Sequence, residues 1–172
     1  NKFDFCILFC PTCHMNDSYN WLHDSYKHTQ VTREQLQKVI SYQSKPASGR
    51  LLLVFDDCIG SLNFTWPEIN KLFTTHRHLK ITVFLATQYI YKIPPLIREC
   101  ATYAFLFSQR TKRSIEALFD SYGASKFNNV KEFQRFLADH TKDYHTLLYQ
   151  PKLNTFTQYR APARTPRFKI KQ

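Results

Sequence analysis

Glycine is scarce in this chain: three in 172 residues, at Gly49, Gly60 and Gly123, each isolated. Loops that wrap phosphate groups with backbone N–H donors depend on glycine for close approach. No GxxxxGK[ST] occurs anywhere in the sequence, so nothing in it cradles the β- and γ-phosphates of a nucleotide at a helix start. Acids are also in short supply. Thirteen Asp and Glu stand against 24 Lys and Arg, a formal net charge of +11. That excess favours an anionic partner, most simply nucleic acid, although an acidic protein or an anionic membrane surface would match the charge too. No stretch reaches the ~18 apolar residues of a membrane-spanning helix. The seven histidines form no HExxH, so metalloprotease chemistry has no support. The five cysteines are odd in number and lack a repeated spacing, which suits free thiols in a reducing compartment better than a disulfide framework. Cys10-Pro11-Thr12-Cys13-His14 has the look of half a zinc site, but no second pair completes it.

What the chain does have is a hydrophobic content of 43%, with 15 Phe and 10 Tyr, enough for a core. Its length suits one domain. Leu51-Leu52-Leu53-Val54-Phe55 ends abruptly in Asp56-Asp57. A continuous apolar run of this kind predicts a strand buried on both faces, as in a parallel sheet. Ligands of open α/β sheets sit at the carboxyl ends of such strands. Paired carboxylates are costly to bury without a cation or donors. The pair therefore suggests a divalent-cation or phosphate-chemistry site, with Mg²⁺ favoured by hard oxygen ligands. The plain alternative is a strand ending in a solvated Asp-Asp turn.

Other strands are expected at 3–9, 81–86, 103–107 and 146–149. Helices are expected at 18–27 (short), 32–44, from Thr65-Trp66-Pro67-Glu68 to Thr75, from Pro94 to Arg98, and over 111–121 and 129–140. Thr65 is the expected cap of the third of these, with Glu68 three residues on. Strands alternating with helices make an α/β fold with a mostly parallel sheet. Residues 1–150 are expected to form this core. Residues 151–172, with six basic residues, no acid and three prolines, read as an extended basic tail. The chain opens at Asn1, not Met, and turns almost at once into a strand, the expectation being a piece of a longer product.

An Asp-Asp after one buried strand, and a strand ending in Thr87-Gln88 about 30 residues later, fit a nucleotide-hydrolysing core. Asp56 then holds Mg²⁺ through water, Asp57 orients or deprotonates the attacking water, and Gln88 senses the γ-phosphate. The plain reading of Gln88 is a polar strand-end residue. Arg77 and Arg98 are candidates to stabilise charge on a transferring phosphoryl group, across a subunit boundary if need be. Either alone also reads as a solvated surface arginine. A nuclease would need a further acid or Lys near the same strand ends, for which Asp4 and Asp120 are possible acids by sequence.

The ordered set of motifs resembles the poxvirus-type genome-packaging ATPases of large DNA viruses, a branch of the FtsK–HerA superfamily of P-loop NTPases. Phe5 to Thr12 resembles the second strand with its Ser/Cys-Pro-Thr turn, and Leu51–Asp57 the Walker B strand. His76-Arg77-His78 before Ile81-Thr82-Val83 resembles the Arg-His ahead of the sensor strand, which Ala86-Thr87-Gln88 ends. Ile93-Pro94-Pro95-Leu96-Ile97-Arg98 resembles the Pro-Pro-x-x-Arg segment that follows. The likeness runs over about residues 3–125.

The resemblance implies a three-layer RecA-like core in the strand order 5-1-4-3-2, with the first strand and Walker A loop absent from this chain. Without that first strand, the fourth and fifth lose the neighbour between them. It further implies ATP and Mg²⁺ as ligands, both only once the absent portion is supplied, so that the chain alone is inactive. Asp56 becomes the Mg²⁺-linked acid, Asp57 the catalytic acid and Gln88 the sensor, with Arg77 or Arg98 reaching a neighbouring subunit's nucleotide. The implied setting is a homo-oligomeric ring that pulls double-stranded DNA into a capsid, in the virion or at a cytoplasmic assembly site. Arg160, Arg164, Arg167, Lys169 and Lys171 of the tail are the expected DNA contacts, and capsid proteins are further candidate partners. The alternative is a non-hydrolysing scaffold of the same fold that binds a capsid or nucleic acid.

Overall fold

The computed structural model describes residues 2–15 and 17–160. The chain falls into two compact units, one running to Tyr89 and the other beginning at Ile90, whereas the sequence pattern suggested a single core over 1–150.

The first unit opens with β1, Phe5–Phe9. Two 3-10 turns, Asp17–Tyr19 and Asp24–Tyr26, replace the short helix expected over 18–27. Short polar side chains there bond locally and compete with helix formation: Asn20 Nδ2 donates to Asp17 Oδ1 (3.1 Å), and the Ser25 N–H to His23 Nδ1 (3.3 Å). A two-residue strand, β2 (Lys27–His28), follows. Helix α1, Arg33–Gln43, begins in a capping box in which Thr32 and Gln35 satisfy each other's backbone N–H. β3 is Leu51–Asp56, α2 is Pro67–Thr75 and β4 is Ile81–Ala86.

At the start of α2 the expected capping by Thr65 is not what forms. Pro67 occupies the first helical turn, which makes Trp66 the N-cap, one residue later than expected. The Thr65 N–H and hydroxyl both donate to Asn63 Oδ1 (2.9 and 2.8 Å). Glu68, left without a capping role, accepts from Arg33 Nε (3.0 Å) and Gln37 Nε2 (2.8 Å) of α1 and ties the two helices together.

These strands form one sheet in the order β2-β1-β3-β4, parallel throughout. β3 is central, with Leu51, Leu53 and Phe55 buried on one face and Leu52 and Val54 half-buried on the other. Phe9 stacks on Phe55 at 5.3 Å between ring centroids. Leu36 of α1 and Ile69 and Leu72 of α2 are fully buried and complete the core on the helix side. The register sets Phe9 beside Phe55 and Asp56 beside Ala86, so the carboxyl ends of β1, β3 and β4 finish level.

β4 ends this sheet. The strand expected over 103–107 does not extend it. It shortens to Ala104–Leu106, β5, and pairs elsewhere.

The second unit contains α3 (Pro95–Glu99), β5, α4 (Lys112–Leu118), α5 (Val130–His140), β6 (His145–Gln150) and β7 (Thr155–Arg160). α4 runs directly into a π-helical turn, Phe119–Gly123. A Cβ at Gly123 would lie 3.0 Å from the rings of Phe119 and Phe133, so only glycine lets that turn rest against Phe133. The sheet order is β5-β6-β7, antiparallel. Its core gathers Leu106, Ile115, Leu118, Phe133, Leu137 and Leu147, with Phe127 and Phe156 packed against it.

β7 corrects the tail boundary. Thr155–Arg160 is not extended tail but the second arm of a hairpin, turned at Pro151–Asn154, where Asn154 takes a left-handed conformation (φ 49°). Of the expected DNA contacts, Arg160 is exposed at the end of β7, while Arg164, Arg167, Lys169 and Lys171 lie outside the described residues. Among the described residues no helix is long and apolar enough to cross a membrane.

Candidate functional site

The level strand ends of the first unit bring together the Cys10-Pro11-Thr12-Cys13 turn after β1, Asp56-Asp57 at the end of β3, and Thr87-Gln88 after β4. Asp56, the last residue of β3, is half-buried. Its Oδ2 accepts two hydrogen bonds, one from the Tyr19 hydroxyl (2.5 Å) and one from the Cys10 thiol (3.6 Å). Among the described residues nothing donates to Oδ1. Desolvation, and then the bond to Asp56, push the Tyr19 hydroxyl well above the usual tyrosine range, so it stays a protonated donor.

Asp57 differs in every respect. It is exposed, its side chain makes no cap hydrogen bond, and its backbone is left-handed at φ 52°, ψ 31°. Non-glycine residues adopt this region rarely, Asp and Asn more readily than others. The Asp57 N–H donates to the Ala86 carbonyl (3.1 Å), which fixes the turn against the end of β4. The two acids are therefore held differently: one with an oxygen clamped, the other presented to solvent on a constrained turn. Gln88 lies two residues beyond Ala86, the register partner of Asp56, and is exposed.

Beneath the turn, Cys58 is fully buried and its thiol donates to the Phe9 carbonyl (3.0 Å). Burial, then the neighbouring Cys10, push that thiol up to about 12. Burial raises Cys13 as well. All five cysteines are free. At pH 8 the folded chain is expected to leave Cys58 unmodified by iodoacetamide, because both thiolate formation and access are suppressed. Mass spectrometry of labelled peptides checks this, and modification of Cys58 at the rate seen in denaturant would contradict the packing.

Arg77 and Asp4 lie away from these strand ends, and Arg98 belongs to the second unit. Arg77 is exposed between α2 and β4, at the amino end of β4. A strand of that length spans about 20 Å, so Arg77 cannot serve the acids of its own chain directly. Asp4 is likewise at the wrong end of β1, where its Oδ2 accepts from the Arg50 N–H (2.8 Å). The nuclease reading loses its nearest extra acid. Arg98, in the second unit, is half-buried in α3. Its Nη1 donates to the Ala117 carbonyl (3.0 Å) and to the Ser121 hydroxyl, whereas its buried Nε has no partner among the described residues. Two surface hollows, of about 470 and 320 Å³, run along α1, and neither is lined by Asp56, Asp57 or Gln88.

Tyr19 is the site residue that the sequence pattern did not flag; Cys10 stood out only as half of a zinc site and in the Ser/Cys-Pro-Thr turn, not as a partner of Asp56. Cys10 was within reach, since it follows a strand parallel to β3 in a register that sets it beside Asp56. Tyr19 sits 37 positions from its partner with no local signal.

No protein-family model matches the chain. The uncharacterised protein 088R of Invertebrate iridescent virus 3 is 25% identical over 157 residues, which cover 91% of this chain and 56% of that protein. The chain thus spans little more than half the length of the curated relative it matches. Among solved structures, the genome packaging NTPase B204 of Sulfolobus turreted icosahedral virus 2 in complex with AMP superposes with a TM-score of 0.72 at 15% identity, over 94% of this chain and 84% of that one. Its AMPPCP complex gives 0.69 at 17%, with the same coverage. B204, the DNA-packaging ATPase from Sulfolobus Turreted Icosahedral Virus, gives 0.70 at 15%, again over 94% and 84%. The chain has the α/β fold of these packaging NTPases, built on a parallel central sheet.

Proposed function

We propose that this chain is the acid-and-sensor part of an ATP-driven motor that packages viral DNA. The observation that carries the reading is the pair Asp56 and Asp57, level with the Gln88 loop at the carboxyl ends of adjacent parallel strands, in a fold that superposes on nucleotide-bound packaging NTPases. In this reading the 51–57 stretch is a Walker B strand of the FtsK–HerA type.

Asp56 suits a water-bridged Mg²⁺. One carboxylate oxygen is held by neutral donors and the other is left to the ligand, and Mg²⁺ is commonly held by one or two carboxylates together with substrate phosphates and water. When bound, the ion neutralises charge on the β- and γ-phosphates. Asp57 orients the attacking water and takes its proton. The amide of Gln88 reads the γ-phosphate from the neighbouring strand. Arg77 acts on a neighbouring subunit's nucleotide, a role compatible with its place before the amino end of β4; Arg98, whose Nη1 is committed to its own unit, supports α4 instead. The phosphate-holding loop comes from outside these 172 residues, because no GxxxxGK[ST] is among them.

The partners in this reading are double-stranded DNA, further copies in a ring, and capsid proteins, at the site of virion assembly in the host cell. The missing phosphate loop favours one other reading, a scaffold of the same fold that binds without hydrolysing. Mg²⁺-dependent ATP hydrolysis by the full-length natural product, stimulated by double-stranded DNA, separates the two; DNA binding without hydrolysis would establish the scaffold.

In the same assay, replacing Lys152, Arg160, Arg164, Arg167, Lys169 and Lys171 with Gln is expected to weaken DNA binding and flatten its salt dependence. Each lost phosphate contact lowers the slope of log K against log salt by about 0.9. A slope unchanged within error would assign the segment to a protein partner.

A further inference from the structure

The two donors that clamp Asp56 have been given no role of their own beyond occupying Oδ2. The acid ends a strand, and its side chain could otherwise turn freely between rotamers. Two donors from outside β3 prevent this. Tyr19 comes from the first 3-10 turn and Cys10 from the residue immediately after β1, and both converge on the same oxygen, Oδ2. Neither donor is a mobile surface group. Cys10 is 1% exposed, packed in a cluster with Leu8, Cys13 and Leu22, and Tyr19 packs against that cluster. The Cys10 thiol also lies 3.5 Å from Thr12 Oγ1, which restrains the turn that carries it. Both donors are neutral, so they orient the carboxylate without cancelling its charge.

We propose that Tyr19 and Cys10 are positioning residues for the metal-linked acid: by holding Oδ2 they fix the Asp56 side chain so that Oδ1 is the oxygen offered to a metal-bound water. The inference rests on the nucleotide-hydrolase reading given above. A carboxylate fixed in advance loses no rotational freedom when the ion arrives. Partners that orient a metal ligand typically control metal affinity by 10–100-fold.

The test uses the full-length natural product with a non-hydrolysable ATP analogue and Mn²⁺ as the probe, with free Mn²⁺ followed by electron paramagnetic resonance. Tyr19→Phe keeps the ring and its packing and removes only the hydroxyl. It is expected to weaken Mn²⁺ binding about tenfold or more, with analogue affinity in EDTA unchanged. Cys10→Ser keeps a donor and should stay near wild type, while Cys10→Ala should fall between the two. The serine–alanine pair carries the test if Tyr19→Phe does not fold.

Wild-type Mn²⁺ affinity in both Tyr19→Phe and Cys10→Ala would reduce the clamp to a purely structural contact. Tighter Mn²⁺ binding in Tyr19→Phe would overturn the proposal in the opposite sense, making Tyr19 a competitor of the metal. A wild-type product that shows no nucleotide-dependent Mn²⁺ binding at all would remove the hydrolase reading itself, an outcome visible before any variant is made.

Discussion

Asp57→Asn in the full-length product is expected to stop ATP turnover while leaving the fold as stable as before. The two halves of that expectation come from different features of one residue. The stability half follows from the backbone. At φ 52°, ψ 31° the position suits Asn as well as Asp, and the side chain is exposed with no cap bond to lose. A change within about 0.5 kcal/mol is expected, as for surface substitutions away from special contacts. Asp57→Ala would not be so clean, because alanine in the left-handed region costs about 1–2 kcal/mol. The activity half follows from chemistry. The amide keeps the shape but cannot accept the proton of the attacking water, and loss of a positioned general base typically costs 10²–10⁴-fold. Single-turnover hydrolysis and denaturant midpoints measured on the same preparations decide the matter. Turnover within a few fold of wild type would remove Asp57 from the chemistry, whatever its stability.

The 172-residue chain by itself is expected to show neither Mg²⁺-dependent hydrolysis nor stabilisation by ATP. Its acids can bind a metal only weakly without the phosphates that share the ion, and the sequence contains no GxxxxGK[ST] to wrap those phosphates. Ligand that binds the folded state at a hundredfold excess over Kd adds about 2.7 kcal/mol. For a chain of this size that corresponds to a shift in Tm of ~5–10 °C. Millimolar ATP and Mg²⁺ should give no shift of that size with the isolated chain. A longer product carrying a phosphate loop should show it. The same extension can supply a strand for the outer edge of β4, with which no strand pairs among the described residues. A gain in Tm without nucleotide would report that pairing separately. A clear ATP-induced shift, or turnover, from the isolated chain would falsify the assignment of phosphate binding to residues outside it.

Local signals carried much of the fold. Leu51–Asp56, Ile81–Ala86 and the capped helix after Thr32 are each specified by runs, periodicity or a cap within a few residues, and each forms where expected. Weak local signals misled. Thr155–Arg160 reads as tail because Phe156 is its only side chain packed against the core, so the run is too polar to announce a strand. Its better signal was the turn before it, where Asn154 accepts a left-handed backbone. Thr65 and Glu68 had the spacing of a capping box, but Pro67 starts the helix one residue later, at an N-cap, Trp66, that makes no side-chain cap bond.

By itself, the sequence determined that two acids end a buried strand, that a polar Thr-Gln ends its neighbour, that charge favours an anionic partner, and that these 172 residues contain no GxxxxGK[ST]. Those are properties of residue type and short spacing. The tertiary structure alone decided that the acids are unlike each other, one clamped by Tyr19 and Cys10 and one set on a left-handed turn. It also decided that Arg77 stands at the opposite end of its strand from the acids, that Arg98 is tied to Ala117, and that β5 leaves the parallel sheet for β6. Each of these depends on hydrogen bonds or register between segments well apart in the chain, and no periodicity within a segment encodes which distant donor will meet it.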